Sequence, residues 1–446
     1  MGVKRRAKEH PNEPPARVMA AAVGVLGEEV ANLMPERRHL KRCVFRRDVS
    51  LTFHWKPVTA RQPVTHSMSI PFKVLKCCVH CFRDVNRWQN EERPPLPINL
   101  GDINIEAPYD QTEGGEPFLL YDSGREDNNR LLIFTTIWAL RILALCDMFF
   151  SDGTFKTVPG QFAQLFTVHG RFRKFVFPLV FCFTSRLTEQ TYRTVYQVLK
   201  RKAREIGVVL APEVFMMDFE LANMNAARIS FVSASIKGCL FHFTQSLYRY
   251  LISLGLKQEY EILESPIRKQ AIALFALPFI PLEEIVEVFE NITEGMDPRL
   301  DALISYIDST YVQGPLRRRR RVPPRFPPQV WNVYDLVLNG DERTNNAVEG
   351  WHNHLQKMMV VHHGSLWRFL DILKKEETQI RNTIVQVQGG HTNIREPVNK
   401  KYKTNQRQIE NIVNQYEAYK LEGNVMGYLR AIGYRLKTGP PGEREE

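Results

Sequence analysis

The sequence predicts a mixed α/β domain interrupted by an all-helical block. Three observations predict it. β-branched and aromatic runs follow one another from about residue 147 to 184, split by the polar breaks "DGT" and "RFRK". Such runs read as strands, and their short connections read as an antiparallel meander. The next two apolar runs, "EVFMMD" and "SIKGCLFHF", each follow a helical pattern, the order that adds strands in parallel. Residues 260–343 then lose strand alternation and read as helices punctuated by proline and glycine.

In chain order, residues 1–114 hold basic clusters such as "RRHLKRCVFRRD", several prolines and no sustained period, and are expected to be a partly ordered basic region. "KCCVHCF" contains Cys78-x-x-Cys81, half of a zinc pattern, with Cys43, His54 and His66 upstream. The core begins at about 115 and its first part runs to 259. Residues 131–150, "LLIFTTIWALRILALCDMFF", match a membrane span in length but carry Arg141 and Asp147 well inside and two threonines. They are read instead as a short strand, a helix from Thr135 or Thr136, and a second strand from near Asp147. In "TEQTYRTVYQVLKRKAREIG", Tyr192, Val195, Tyr196 and Leu199 recur at helical spacing up to a stop at Gly207. Residues 344–390 return helices to the core, and 391–446 add C-terminal helices near 404–420 and 425–436 and a tail. Three antiparallel strands followed by two parallel ones is the order of a ribonuclease H-like core. The expected fold is therefore a mixed five-stranded sheet with an all-α insertion and flanking helices.

The chain of 446 residues carries 60 Lys and Arg against 49 Asp and Glu, a formal charge of +11. A surplus of that size favours a polyanionic partner, nucleic acid above all. Seven scattered cysteines suggest reduced thiols inside a cell rather than a disulfide framework. The opening "MGVKRRAKEHPNEPP" is polar and basic, so no secretory signal is expected.

Two carboxylates stand at strand ends, Asp152 on the first core strand and Asp218 on the fourth. In the expected topology those strands are neighbours. Two unit charges about 4 Å apart repel by roughly 4 kcal/mol at an effective dielectric near 20. Such a pair needs a shared proton or a hard divalent cation, Mg²⁺ or Mn²⁺. On "TNNAVEGWHNHLQKMM", Glu349 lies off the apolar stripe of Ala347, Val348, Trp351, Leu355, Met358 and Met359, with Asn345, Asn346, His352 and Asn353 around it. Taken singly, each acid has an ordinary reading: Asp152-Gly153 as a turn, Asp218 as a helix N-cap, Glu349 as a solvent-facing residue.

"DMFFSDGTFKTVPGQFAQLFTVHG", "MMDFELANMNA", "KGCLFHFTQSLYR" and "WNVYDLVLNGDERTNNAVEGWHNHL" resemble, in order, the motifs of the Mutator-like element (MULE) transposases, over about residues 115–440. The resemblance implies a ribonuclease H-like fold with a helical insertion between the second Asp and the Glu, which accords with the 131 positions from 218 to 349. It further implies that Asp152, Asp218 and Glu349 form an acidic triad holding two divalent metals, Mg²⁺ or Mn²⁺, for DNA cleavage and strand transfer. The implied partners are double-stranded DNA at terminal inverted repeats and at the target, in the nucleus, with self-association left open. A domesticated, regulatory descendant without transposition and a plain nuclease on RNA–DNA hybrids are the rival readings.

Cys239 and His242 match a Cys-x-x-His motif of that family. They read either as a buried thiol and a hydrogen-bonded imidazole, or with His242 in a catalytic role, touching substrate phosphate or a nearby carboxylate. The run Arg317, Arg318, Arg319, Arg320 and Arg321 reads as a solvated loop and nuclear-import signal, or as a DNA contact. Trp331 and Trp351 read as core, with base stacking as the sharper alternative.

Overall fold

One sheet of seven strands carries the molecule, and its order follows from where the apolar runs fall. In the computed structural model of the chain, residues 93–155, 158–359, 365–391 and 400–436 are described; Cys43, His54, His66, Cys78 and Cys81 lie outside them. Contacts divide the chain after Leu96, and the sheet lies in the unit from Pro97 onward. Its strands are β1 (Leu119–Asp122), β2 (Leu131–Phe134), β3 (Met148–Thr154), β4 (Gln164–Phe172), β5 (Phe175–Thr184), β6 (Val214–Met217) and β7 (Ser235–Gly238). They lie in the order β1-β2-β5-β4-β3-β6-β7. The meander β3-β4-β5 is antiparallel, while β6 and β7 add in parallel beside β3, as the order of runs predicts.

The sheet has two strands more than the five expected. All four residues of β2 are buried, and β2 pairs antiparallel with β5, whose far edge would otherwise be open. β1 then pairs with β2. Residues 131–150 divide as read from the sequence: β2, a helix α1 (Ile137–Leu143) and β3. Thr136 caps α1 by accepting a hydrogen bond from the Ala139 amide.

Helices cover both faces. On one, α2 (Glu189–Glu205) and α3 (Leu221–Ser230) pack onto β3 and β6 through Phe149, Tyr196, Phe215 and Phe231, whose rings meet edge-on at 5.4–6.0 Å. On the other, α8 (Asn346–Met358) and α9 (Leu366–Gln388) pack on β5, with Trp351 5.5 Å from Phe181 and Phe369 5.2 Å from Phe183. Between these layers, α4 (Leu240–Ser253) leads out of the sheet into the helical insertion, which contains α5 (Pro266–Phe275), α6 (Ile285–Thr293) and α7 (Asp301–Ile307). Three further helices, α10 (Lys400–Val413), α11 (Tyr416–Leu421) and α12 (Val425–Gly433), close the chain. α12 packs on α5 so closely that a Cβ at Gly433 would meet the backbone of Ile272. Trp331 is fully buried, stacked on Phe243 at 5.1 Å, so its core reading holds. No helix among the described residues is long and apolar enough to cross a membrane.

The far edge of the sheet depends on one buried cation. Arg130, 1% exposed, donates to both oxygens of Asp122, at 3.0 and 2.6 Å, and to the Leu100 carbonyl. Removing one member of a buried pair strands the other. We expect Arg130→Ala to lose about 3 kcal/mol in chemical denaturation, with Arg130→Met plus Asp122→Leu recovering part of it. A single variant as stable as the wild type would refute this role.

Candidate functional site

The sheet register brings the first two acids together. Asp152 lies inside β3, not at a turn: it pairs with Thr167, and Gly153 pairs with Phe166. A Cβ at 153 would overlap the Gln164 side-chain amide, which would have to shift to admit one. The parallel register of β3 and β6 ends at Ser151 opposite Met217, which leaves Asp152 and Asp218 side by side one position beyond. Asp218 is not a helix cap either. Glu220 holds that position in α3, without a side-chain cap bond, and the Asp218 carboxylate turns instead toward α4 and the residue preceding α8.

Glu349 arrives from α8. Of the polar ring expected around it, Asn345 and His352 face the sheet, whereas Asn346 and Asn353 are exposed. Helical geometry accounts for the split. At 100° per residue, 345 and 352 fall on the side of 349 that holds buried Val348 and Leu355, and 346 and 353 fall on the other. Ala347, expected in the apolar stripe, is exposed for the same reason.

His242, in the first turn of α4, ties these acids together. Its Nδ1 lies 2.7 Å from Asp218 Oδ1 and its Nε2 3.9 Å from Glu349 Oε1. It contacts a carboxylate while Cys239 is fully buried, features that belong to both sequence readings. Burial opposes charge on this imidazole, but Asp218 and Cys239 outweigh it and push its pKa up to about 11. Asn345, fully buried, donates its Nδ2 to Asp218 Oδ1 at 3.3 Å and to the Ser151 carbonyl at 3.4 Å.

Burial raises the pKa of Asp218; His242 counters this, and the charge of Asp152 adds to it. Glu349 is likewise raised by burial, relieved by His242 and pushed further by Asp152 and Asp218. The three carboxylates therefore sense one another, as like charges gathered in one pocket must. Two oxygens in it, Glu349 Oε1 and Asn345 Oδ1, are buried with no hydrogen-bond donor among the described residues. Oxygen donors and mutual repulsion suit a divalent cation, although among the described residues the group whose donor atoms all lie within 4.8 Å of one another is Asp218, Cys239 and His242, not the three acids.

Sequence reasoning set His352 beside Glu349 but missed its contact with Asp152, the residues behind it and Glu220. His352 places Nδ1 3.2 Å from Asp152 Oδ2, while its Nε2 meets Thr167 Oγ1 at 3.3 Å. Thr167 in turn meets His169 Nε2 at 3.0 Å, so a polar chain backs the first acid. A fourth carboxylate, Glu220, receives the Tyr192 hydroxyl at 2.9–3.0 Å, and burial raises its pKa. The spacing of His352 from Glu349 was a readable signal; the cross-strand neighbours of Asp152 were not.

The arginine run is an exposed two-stranded ribbon, β8 (Leu316–Arg317) and β9 (Arg320–Arg321), rather than an irregular loop, with Arg318 and Arg319 at its positive-φ turn. Arg321 is engaged by Asp308 at 2.6 Å. No hydrogen bond or ion pair among the described residues joins this ribbon to the carboxylates. Trp351 is half-buried and donates its Nε1 to Glu376 at 2.8 Å.

Fold and site together define a mixed α/β protein with a cluster of acidic residues and His242 at one end of its central strands. Residues 148–246 match the family model of the MULE transposase domain. The chain carries a MULE transposase domain, as the motif resemblance implies, and the matched segment includes Asp152, Asp218 and His242 but ends before Glu349. No curated protein matches the sequence.

Because Glu349 is a half-buried acid repelled by two others, with solvent screening part of that repulsion, Glu349→Gln should raise the melting temperature in chelator at neutral pH by roughly 1–2 °C. The sign follows from the raised pKa. Lowering pH through it protonates the native carboxyl first, so wild type gains stability and the two proteins converge. A variant less stable than wild type at pH 7 would contradict this.

Proposed function

We propose that the chain is a divalent-metal-dependent DNA transposase with a ribonuclease H-like core, in which Asp152, Asp218 and Glu349 act as the acidic triad. The observation that carries this reading is the meeting of Asp218 and Glu349 at His242 with Asp152 near enough for its charge to act on both, Asp152 and Asp218 lying within the matched transposase segment. The strand order β5-β4-β3-β6-β7, with its helical insertion before Glu349, supports the fold assignment. Bound cations, two in this reading, would supply an activated water or 3′-hydroxyl and stabilise the leaving oxygen of a phosphodiester.

The side chains supply placement. Asp152 is presented on β3 and oriented by His352; Asp218 is fixed by Asn345 and His242; Glu349 closes the pocket from α8. Until a cation arrives, His242 offsets the charge of Asp218 and Glu349. The reading needs no protein nucleophile. The exposed arginines 317–320 suit contact with a DNA backbone and, as a basic run, nuclear import.

Purified protein with DNA and Mn²⁺ tests the reading. Cleavage is expected in wild type and should fall at least 100-fold, about 2.7 kcal/mol in barrier, in Asp152→Ala, Asp218→Ala and Glu349→Ala. Cutting that survives all three changes would overturn it, and salt-sensitive binding without cutting by wild type would favour a domesticated, regulatory descendant. Replacing Arg317, Arg318, Arg319 and Arg320 by Ala should lower the slope of log affinity against log salt by about three to four units. An unchanged slope would remove the ribbon from the DNA interface.

A further inference from the structure

We propose that Asp218, Cys239 and His242 form a second cation site, thiophilic in character and suited to Zn²⁺, which shares Asp218 with the hard-cation cluster. The sheet register creates it. Gly238 pairs with Met217, so Cys239 stands beside Asp218 just as Asp218 stands beside Asp152. One turn of α4 then lays His242 over both.

The donor atoms of the three side chains all lie within 4.8 Å of one another. A tetrahedral zinc with bonds of about 2.0–2.3 Å spaces its ligands roughly 3.3–3.6 Å apart. The 2.7 Å separation of His242 Nδ1 and Asp218 Oδ1 would open by about 0.6 Å to reach that spacing, a change within side-chain rotation. Sulfur, imidazole nitrogen and one carboxylate oxygen make a set that Zn²⁺ accepts and Mg²⁺ does not favour, with a fourth position left for water.

The surroundings match what such a site needs. The Asn345 amide donates to Cys239 Sγ at 3.2 Å, a bond that favours the thiolate. The far nitrogen of the imidazole, Nε2, faces Glu349 at 3.9 Å, the carboxylate partner that zinc-bound histidines commonly have. Cys239 is fully buried, which shields its sulfur from bulky oxidants. Binding would release the thiol and imidazole protons to solvent.

The site itself stands on these contacts alone. Its consequence rests on the function proposed above: with Asp218 recruited to zinc, the hard-cation cluster loses a member, so Zn²⁺ should inhibit Mn²⁺-supported cleavage.

Cobalt is the probe. In a full-length background with Cys43, Cys77, Cys78 and Cys81 changed to Ser, Co²⁺ should produce a thiolate-to-cobalt charge-transfer band that Zn²⁺ displaces. Cys239→Ser should abolish the band, and His242→Gln and Asp218→Asn should each weaken Co²⁺ binding at least tenfold. Glu349→Gln should keep the band. Absence of the band in the parent, or its persistence in Cys239→Ser, overturns the site. Should Cys239→Ser fail to fold, His242→Gln and Asp218→Asn carry the same test. The cobalt readout does not depend on cleavage: a band with no DNA cutting sinks only the transposase reading, and cutting with no band sinks only this one.

Discussion

The architecture around the pocket depends on one contact, the imidazole of His242 held between the carboxylates of Asp218 and Glu349. Three acids in a partly dry pocket repel, and without a countercharge the pocket would drive its own walls apart. His242 supplies that charge from the first turn of α4, so β7, α4 and α8 must meet where they do. The fit is tight. Gly238 at the end of β7 has no room for a side chain because the Phe219 ring, next to Asp218, lies against it. The backbone around the second acid is thus held by an apolar contact as well as by an ionic one.

Support for the first acid is of another kind. Asp152 is backed by His352, Thr167 and His169, a chain running sideways across two strands. The pocket joins a charge-compensated half near α4 to a hydrogen-bonded half near α8. Asn345 spans them, touching Asp218, the Ser151 carbonyl and, through its amide, Cys239. A single buried residue, through its side-chain and backbone amides, therefore links the ends of three strands.

Much of this was legible in the chain. Apolar runs located β3 to β7, and their order told parallel from antiparallel pairing. The amphipathic pattern of α8 put Glu349 off the apolar stripe. What stayed hidden was lateral. β2 reads as a short strand, yet nothing in "LLIF" says it must close the edge of β5. The Asp152-Gly153 pair looks like a turn because composition cannot show that Gln164 crowds Gly153. The choice between Asn345 with His352 and Asn346 with Asn353 as neighbours of Glu349 required knowing which flank of α8 meets the sheet. Register and helix rotation belong to tertiary packing, and local sequence encodes them weakly.

The excursion between Cys239 and Asn345 has its own logic. The chain leaves the sheet at 239 and returns at 345, and those points are bonded: the Asn345 amide to Cys239 Sγ at 3.2 Å, and the Leu240 amide to the Arg343 carbonyl at 3.1 Å. Arg171 clamps the return, bridging Asp147 at the foot of β3 and Asp341 at 2.7 Å each. A segment whose two ends are stitched together is an appendage, and extending such a loop adds little entropy. The length of this helical outgrowth is therefore decoupled from the spacing of the acids beneath it, which the stitched ends hold.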